Sequence, residues 1–178
     1  MLRRMTALIG TVVASAALLL AGQSPAAAWT DYVSASTTYY THGGSLFIYA
    51  DAQGNNWGCS GLGLLMDCAD GQNVYGMVSA DNTSPDAVQV QTSISFSGVA
   101  LSVGLPAGAG GSASGTTCTQ PAFSSGGSFV SATSYGVQCH AQTVATVTGM
   151  TLWVNGWGRW GCCWYGGSAS GFLDMYPR

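Results

Sequence analysis

Lysine and glutamate are missing from this 178-residue chain, and charged side chains make up only 6 % of it. Its strong cations are four arginines, set against seven aspartates. A phosphate backbone needs a basic face to neutralise it, so nucleic acid is excluded as a partner. The same poverty removes the basic patch that draws a protein to anionic lipid. Helical periodicity is almost absent too, and period-two alternation replaces it. Beyond residue 28 no apolar run approaches the roughly 20 residues that a membrane-spanning helix needs, so no stable membrane insertion is expected.

Catalytic vocabulary is equally thin. There are two histidines, His42 and His140, and no Gly-x-Ser-x-Gly element surrounds any serine. A glycosidase would have to draw both carboxyls from Asp31, Asp51, Asp67, Asp70, Asp81, Asp86 and Asp174. Most of these stand in turn-like contexts, where aspartate caps local backbone amides. Asp67 with Asp70, and Asp81 with Asn82 and Asp86, offer oxygen ligands, but neither set completes a calcium loop. Paired C-x-x-C spacing, the signature of structural zinc, does not occur. The expectation is a protein with no catalytic residues, metal or cofactor.

What is present begins with an export leader. Arg3 and Arg4 precede an apolar stretch from Ala7 to Ala21, Gln23-Ser24-Pro25 interrupts it, and Ala26-Ala27-Ala28 supplies the small residues of a cleavage site. Residues 1–28 read as a signal peptide and 29–178 as one secreted, extracellular all-β domain. Loss of Arg3 and Arg4 leaves two cations against seven acids, a formal charge of −5. Six cysteines, Cys59, Cys68, Cys118, Cys139, Cys162 and Cys163, all follow the leader. An even number in a short exported chain reads as a disulfide framework. Cys59 with Cys68 and Cys118 with Cys139 would each close a short loop between strands. Cys162 and Cys163 then bond to each other, or else each pairs with a distant cysteine.

Alternation is clearest over residues 88–96, where Val88, Val90, Thr92, Ile94 and Phe96 share one face and Gln89, Gln91, Ser93 and Ser95 the other. Parity changes at Gly98, which predicts a bulge or tight turn. A second run places Val144, Thr146, Thr148, Met150, Leu152 and Val154 on one face, with Trp153 and Asn155 opposite. Further strands are expected over 32–40, 45–52, 74–79, 128–137 and 168–175. Turn signals fall at His42-Gly43-Gly44, Gly54-Asn55-Asn56, Asp70-Gly71, 81–86 and 124–127. The long loop is placed at 107–117. Seven or eight such strands predict a single disulfide-stapled β-sandwich, with a small closed β-barrel as the alternative.

The most distinctive segment is 152–167. It carries Trp153, Trp157, Trp160, Trp164 and Tyr165 among five glycines, with Asn155 and Arg159 between them. Aromatic rings with neighbouring amide and guanidinium groups stack on sugar rings and hydrogen-bond their hydroxyls; they also anchor protein interfaces. Packing in the core is the competing use of such rings, and parity points Trp153 and Trp157 outward with Asn155. The expectation is a non-enzymatic extracellular binding module that uses this segment to contact a glycan or protein. Two other readings stand beside it. One is a subunit or adaptor of an extracellular assembly, joined through strand edges that lack the usual charge or through the segment from Trp29 to Tyr40. The other is a small secreted hydrolase or hydrolase inhibitor.

Overall fold

The computed structural model describes residues 29–41, 44–61, 64–82, 84–98, 102–104, 112–114, 117–143 and 146–175. The leader at 1–28, His42 and most of the loop expected at 107–117 lie outside these residues. Eleven strands follow one another: β1 (Trp29–Thr41), β2 (Gly44–Gly61), β3 (Leu64–Asp81), β4 (Ala87–Gly98), β5 (Ser102–Gly104), β6 (Ser112–Ser114), β7 (Thr117–Thr119), β8 (Phe123–Gly126), β9 (Phe129–Thr143), β10 (Val147–Trp160) and β11 (Cys163–Asp174). They form two antiparallel sheets, ordered β1-β2-β3-β9-β5 and β11-β10-β4-β7-β6, with β8 also paired to β4. The architecture is the β-sandwich; the barrel alternative is not realised.

Period-two alternation builds the core. On β4 every even residue from Val88 to Phe96 is buried, as the sequence predicts. Leu46, Ile48, Ala50 and Ala52 on β2 face Met150, Leu152 and Val154 on β10 across the interior. Parity on β10 departs from expectation at its start. A register shift between Val147 and Gly149 turns Val147 inward and leaves Thr146 and Thr148 exposed. One extra residue in a strand has this effect on every residue before it. At Gly98 the chain leaves the six-stranded sheet; its φ of 151° belongs to the region that favours glycine, and a side chain there would meet the Thr146 carbonyl oxygen at 2.6 Å.

Two expected turns prove to be strand interior. Gly54-Asn55-Asn56 lies within β2 and Asp70-Gly71 within β3, paired to each other. The cause is packing between the sheets. A Cβ at Gly71 would lie 2.6 Å from Ile94 Cδ1, and one at Gly54 would lie 2.6 Å from Leu173 Cδ2. These glycines are recesses for large side chains of the opposite sheet. Asn56 is buried as well, and its Nδ2 donates to the carbonyl oxygens of Met175 at 2.9 Å and Val147 at 3.5 Å. A polar side chain in that position is tolerated because it is hydrogen-bonded.

Three disulfides pin this frame, linking Cys59 to Cys68, Cys118 to Cys139, and Cys162 to Cys163. The Cys118–Cys139 bond joins β7 of one sheet to β9 of the other, and both residues are buried. Strand edges are managed without charge. Three-residue strands β5 and β6 end the two sheets on one side. On the other side β1 and β11 converge, so that a side chain at Gly171 would strike the Ser34 carbonyl. Short edges and mutual cover are recognised ways to discourage unwanted pairing.

The interlock gives a direct expectation. Gly71→Val forces a branched side chain into the space of Ile94 and should lower stability by about 1–3 kcal/mol in urea unfolding. Ser131→Ala, on the solvent side of β9, should stay within about 0.5 kcal/mol of the parent.

Candidate functional site

The segment singled out in the sequence folds as one hairpin. β10 and β11 pair from Gly149 with Asp174 up to Trp160 with Cys163. The turn is Gly161-Cys162, and Gly161 has φ of 60° while Cys162 does not leave the ordinary region. Glycine at the first of two central positions, with positive φ, is what a type II′ hairpin turn requires. Asp86 secures the tip. Its Oδ2 accepts from the Gly161 amide at 2.7 Å, and its own amide donates to the Arg159 carbonyl at 2.7 Å.

Register divides the seven nominated residues between two faces. Trp153, Asn155, Trp157 and Arg159 occupy odd positions of β10 opposite Ser170, Ser168, Gly166 and Trp164 of β11. These residues therefore share the outer face of the six-stranded sheet. Trp153 and Trp164 are each 43 % exposed. Trp157 is half-buried, because its indole lies across Gly166: a Cβ there would be 2.7 Å from Trp157 Cδ1. The Arg159 guanidinium stands 5.8 Å from the centre of the Trp164 ring, within cation–π range. The remaining two point to the other side. Trp160 packs on the end of the hydrophobic core, with Tyr165 beside it at 6.1 Å between ring centres. The core reading thus holds for Trp160, and the outward parity holds for Trp153 and Trp157.

The rows of the outer face continue onto β4. Trp153 pairs with Ser93, Asn155 with Gln91 and Trp157 with Gln89. Gln91 Nε2 donates to the Gln120 carbonyl at 3.3 Å. Three indoles are thereby framed by serine and amide groups, and Arg159 is the one strong cation on the described part of the sheet. Trp153 and Trp157 are four residues apart on one strand, or about 13 Å. Such a surface offers flat stacking platforms and hydrogen-bonding groups. Among its described residues there is no histidine to pair with a serine.

A second outer face was not singled out in the sequence. On β2 the odd residues Phe47, Tyr49, Asp51, Gln53, Asn55 and Trp57 alternate with the buried even ones. Phe47 and Tyr49 stack at 6.4 Å with 18° between planes, and Tyr49 meets Tyr75 of β3 at 6.2 Å. The Tyr49 hydroxyl donates to Asp51 Oδ2 at 3.1 Å, and the Tyr75 hydroxyl to Met77 Sδ at 3.2 Å. At the far end Trp57 lies 6.1 Å from His140, whose Nδ1 is 2.6 Å from Asp70 Oδ1. The signal was available in the parity of β2. It was obscured because Gly54-Asn55-Asn56 resembles a turn and because the partner rings come from distant parts of the chain.

The aspartates do not gather. In the first candidate calcium set Asp67 Oδ2 accepts from the Val147 amide at 2.7 Å whereas Asp70 engages His140, and in the second Asp86 Oδ2 accepts from the Gly161 amide. Among the described residues no group of three His, Cys or Asp side chains is placed to hold a metal ion. His140 makes its hydrogen bond to Asp70 and to no hydroxyl or thiol among those residues. Comparison with known protein families, curated proteins and solved structures finds no match.

Burial pushes the Tyr49 phenol above its ordinary pKa, and the hydrogen bond to Asp51 pushes it further the same way. A phenol whose pKa is raised by folding contributes stability below its unfolded pKa and loses that contribution as pH climbs through the folded value. Alkaline titration followed in the ultraviolet should therefore show a late-ionising step that Tyr49→Phe removes.

Proposed function

We propose that this protein is a secreted, non-enzymatic module that binds a neutral glycan on the outer face of its six-stranded sheet. One observation carries the reading: Trp153, Trp157 and Trp164 stand on the solvent side of a single hairpin, interspersed with Asn155, Gln89, Gln91, Ser168 and Ser170. Sugar rings present apolar C–H faces and a rim of hydroxyls. Indoles satisfy the first by stacking, and amides and serines satisfy the second. Charge is nearly absent from the face, which suits a ligand without charge of its own. A protein anchor would commonly fill a pocket on its partner, whereas these rings lie along a flat sheet. The export leader and three disulfides accord with work outside the cell.

Rigidity supports the same reading. The hairpin tip carries a disulfide between the neighbours Cys162 and Cys163, which stiffens the backbone there, and Asp86 tethers the Gly161 amide, so the backbone that bears the rings is held before any ligand arrives.

Titration with soluble neutral β-glucan oligosaccharides, followed by tryptophan fluorescence, tests the proposal. Trp153→Ala should weaken binding by about 1–3 kcal/mol while the melting temperature moves little, since that ring is exposed. Trp157→Ala should cost affinity and also some stability, because its ring covers Gly166. A Trp153→Ala protein that binds as the parent does would remove this face from consideration.

A further inference from the structure

The outer face of the five-stranded sheet differs chemically from the face just described. Phe47, Tyr49 and Tyr75 form a continuous aromatic ladder on β2 and β3. Phe129 of β9 joins the Phe47 row across Ser79 and is half-exposed, and Tyr32 and Tyr40 of β1 flank the ladder, with Tyr40 78 % exposed. Asp51 sits in the Tyr75 row, and Asp81 lies opposite Ser45 at the end of the face. Among the described residues this sheet contains no lysine or arginine. Gln53, Asn55 and Gln72 continue the face toward Trp57, and His140, the imidazole among the described residues there, is already engaged by Asp70. From Phe47 to Trp57 the strip runs ten residues along β2, or about 33 Å.

We propose that this strip is a second binding site, for an extended cationic glycan: a β-linked amino-sugar polymer with free amino groups. The sign of the charge selects the ligand. Carboxylates without a countering cation repel acidic polymers and attract an ammonium group, and tyrosine faces beside a carboxylate hold the same cation through their quadrupoles. The form of the surface selects a polysaccharide over a peptide. Peptides dock by adding a strand at an edge or by filling a groove; β2 and β3 are interior strands whose backbone is paired on both sides. An extended polymer instead stacks rings on Tyr49 and Tyr75 at one end and on Trp57 at the other, with the amides between them meeting its hydroxyls. The site is separate from the tryptophan face and does not depend on it. With both faces occupied, one molecule would bridge two chains.

The test uses the intact mature protein and isothermal titration with a defined glucosamine oligosaccharide, its fully N-acetylated counterpart and an oligolysine peptide. The glucosamine oligomer should bind, and its affinity should fall steeply between 50 mM and 1 M salt, as an attraction between exposed charges must. Tyr75→Ala and Asp51→Asn should each weaken it by about two- to fivefold, within the range of a lost solvent-exposed cation–π or ion-pair contact. Trp153→Ala should leave it unchanged, which separates this site from the neutral-glycan face. If Tyr75→Ala melts well below the parent, Asp51→Asn, which removes the charge and keeps the shape, carries the test. Equal affinity for the N-acetylated oligomer, tighter binding of oligolysine, or indifference to Asp51→Asn in a folded protein overturns the proposal.

Discussion

The whole structure depends on how closely its two sheets approach, and glycine sets that approach. At one end of the sandwich the five-stranded sheet supplies recesses at Gly54 and Gly71, filled by Leu173, Met150 and Ile94 from the six-stranded sheet. At the other end the arrangement inverts. Gly156 of β10 gives room to Ile48 and Val78, which project from β2 and β3. Large side chains thus enter the opposite sheet at both ends, and neither sheet can slide along the other without lifting a side chain out of its recess. Close packing of this kind distinguishes a single ordered state from a merely collapsed one. Cys118–Cys139 ties the same two layers covalently.

That interior explains why the exterior is free to be unusual. A sheet that takes its register from buried knobs and recesses has no need of charge pairs on its surface. The outer faces are accordingly written in Ser, Thr, Gln, Asn and aromatic residues, and their polar groups are hydroxyls, amides and a modest excess of carboxylate. Lysine, the usual guard of sheet edges, is replaced by geometry: brief strands at one side and the convergence of β1 on β11 at the other. The same absence of long charged side chains leaves the rings of both faces uncovered.

Much of this was legible in the sequence, for reasons that differ by residue. Strands such as β4 declare themselves because one face is apolar but for Thr92 and the other wholly polar over nine consecutive residues. Pairing of Cys59 with Cys68 and of Cys118 with Cys139 followed from proximity along the chain. Glycine was where the reading failed. Gly71 after Asp70, and Gly54 before two asparagines, carry the local chemistry of turns, and only the presence of Ile94 or Leu173 overhead makes them strand residues. That information is nonlocal, so no inspection of the segment could supply it. The strand beginning at Val147 failed for a related reason, since a bulge shifts parity without leaving a mark in composition. The tryptophan hairpin was visible because its members are neighbours in sequence. The ladder of Phe47, Tyr49 and Tyr75 was not, because β2 and β3 had first to be paired in the observed register.

The two outer faces are chemically unequal, and the inequality follows from where the few charged residues fall. Arg159, the only strong cation among the described residues, is held over Trp164 on the six-stranded sheet. Its charge is therefore spent locally on an aromatic face and stands on the opposite layer from Asp51 and Asp81, about 10 Å of packed interior away at least. Among the described residues of the five-stranded sheet no lysine or arginine neutralises those carboxylates. In a chain with so little charge, the position of one arginine decides which face is nearly neutral and which is acidic. Two faces of one sandwich, each rich in rings but one nearly neutral and the other acidic, are what distinguish the two glycan sites proposed above.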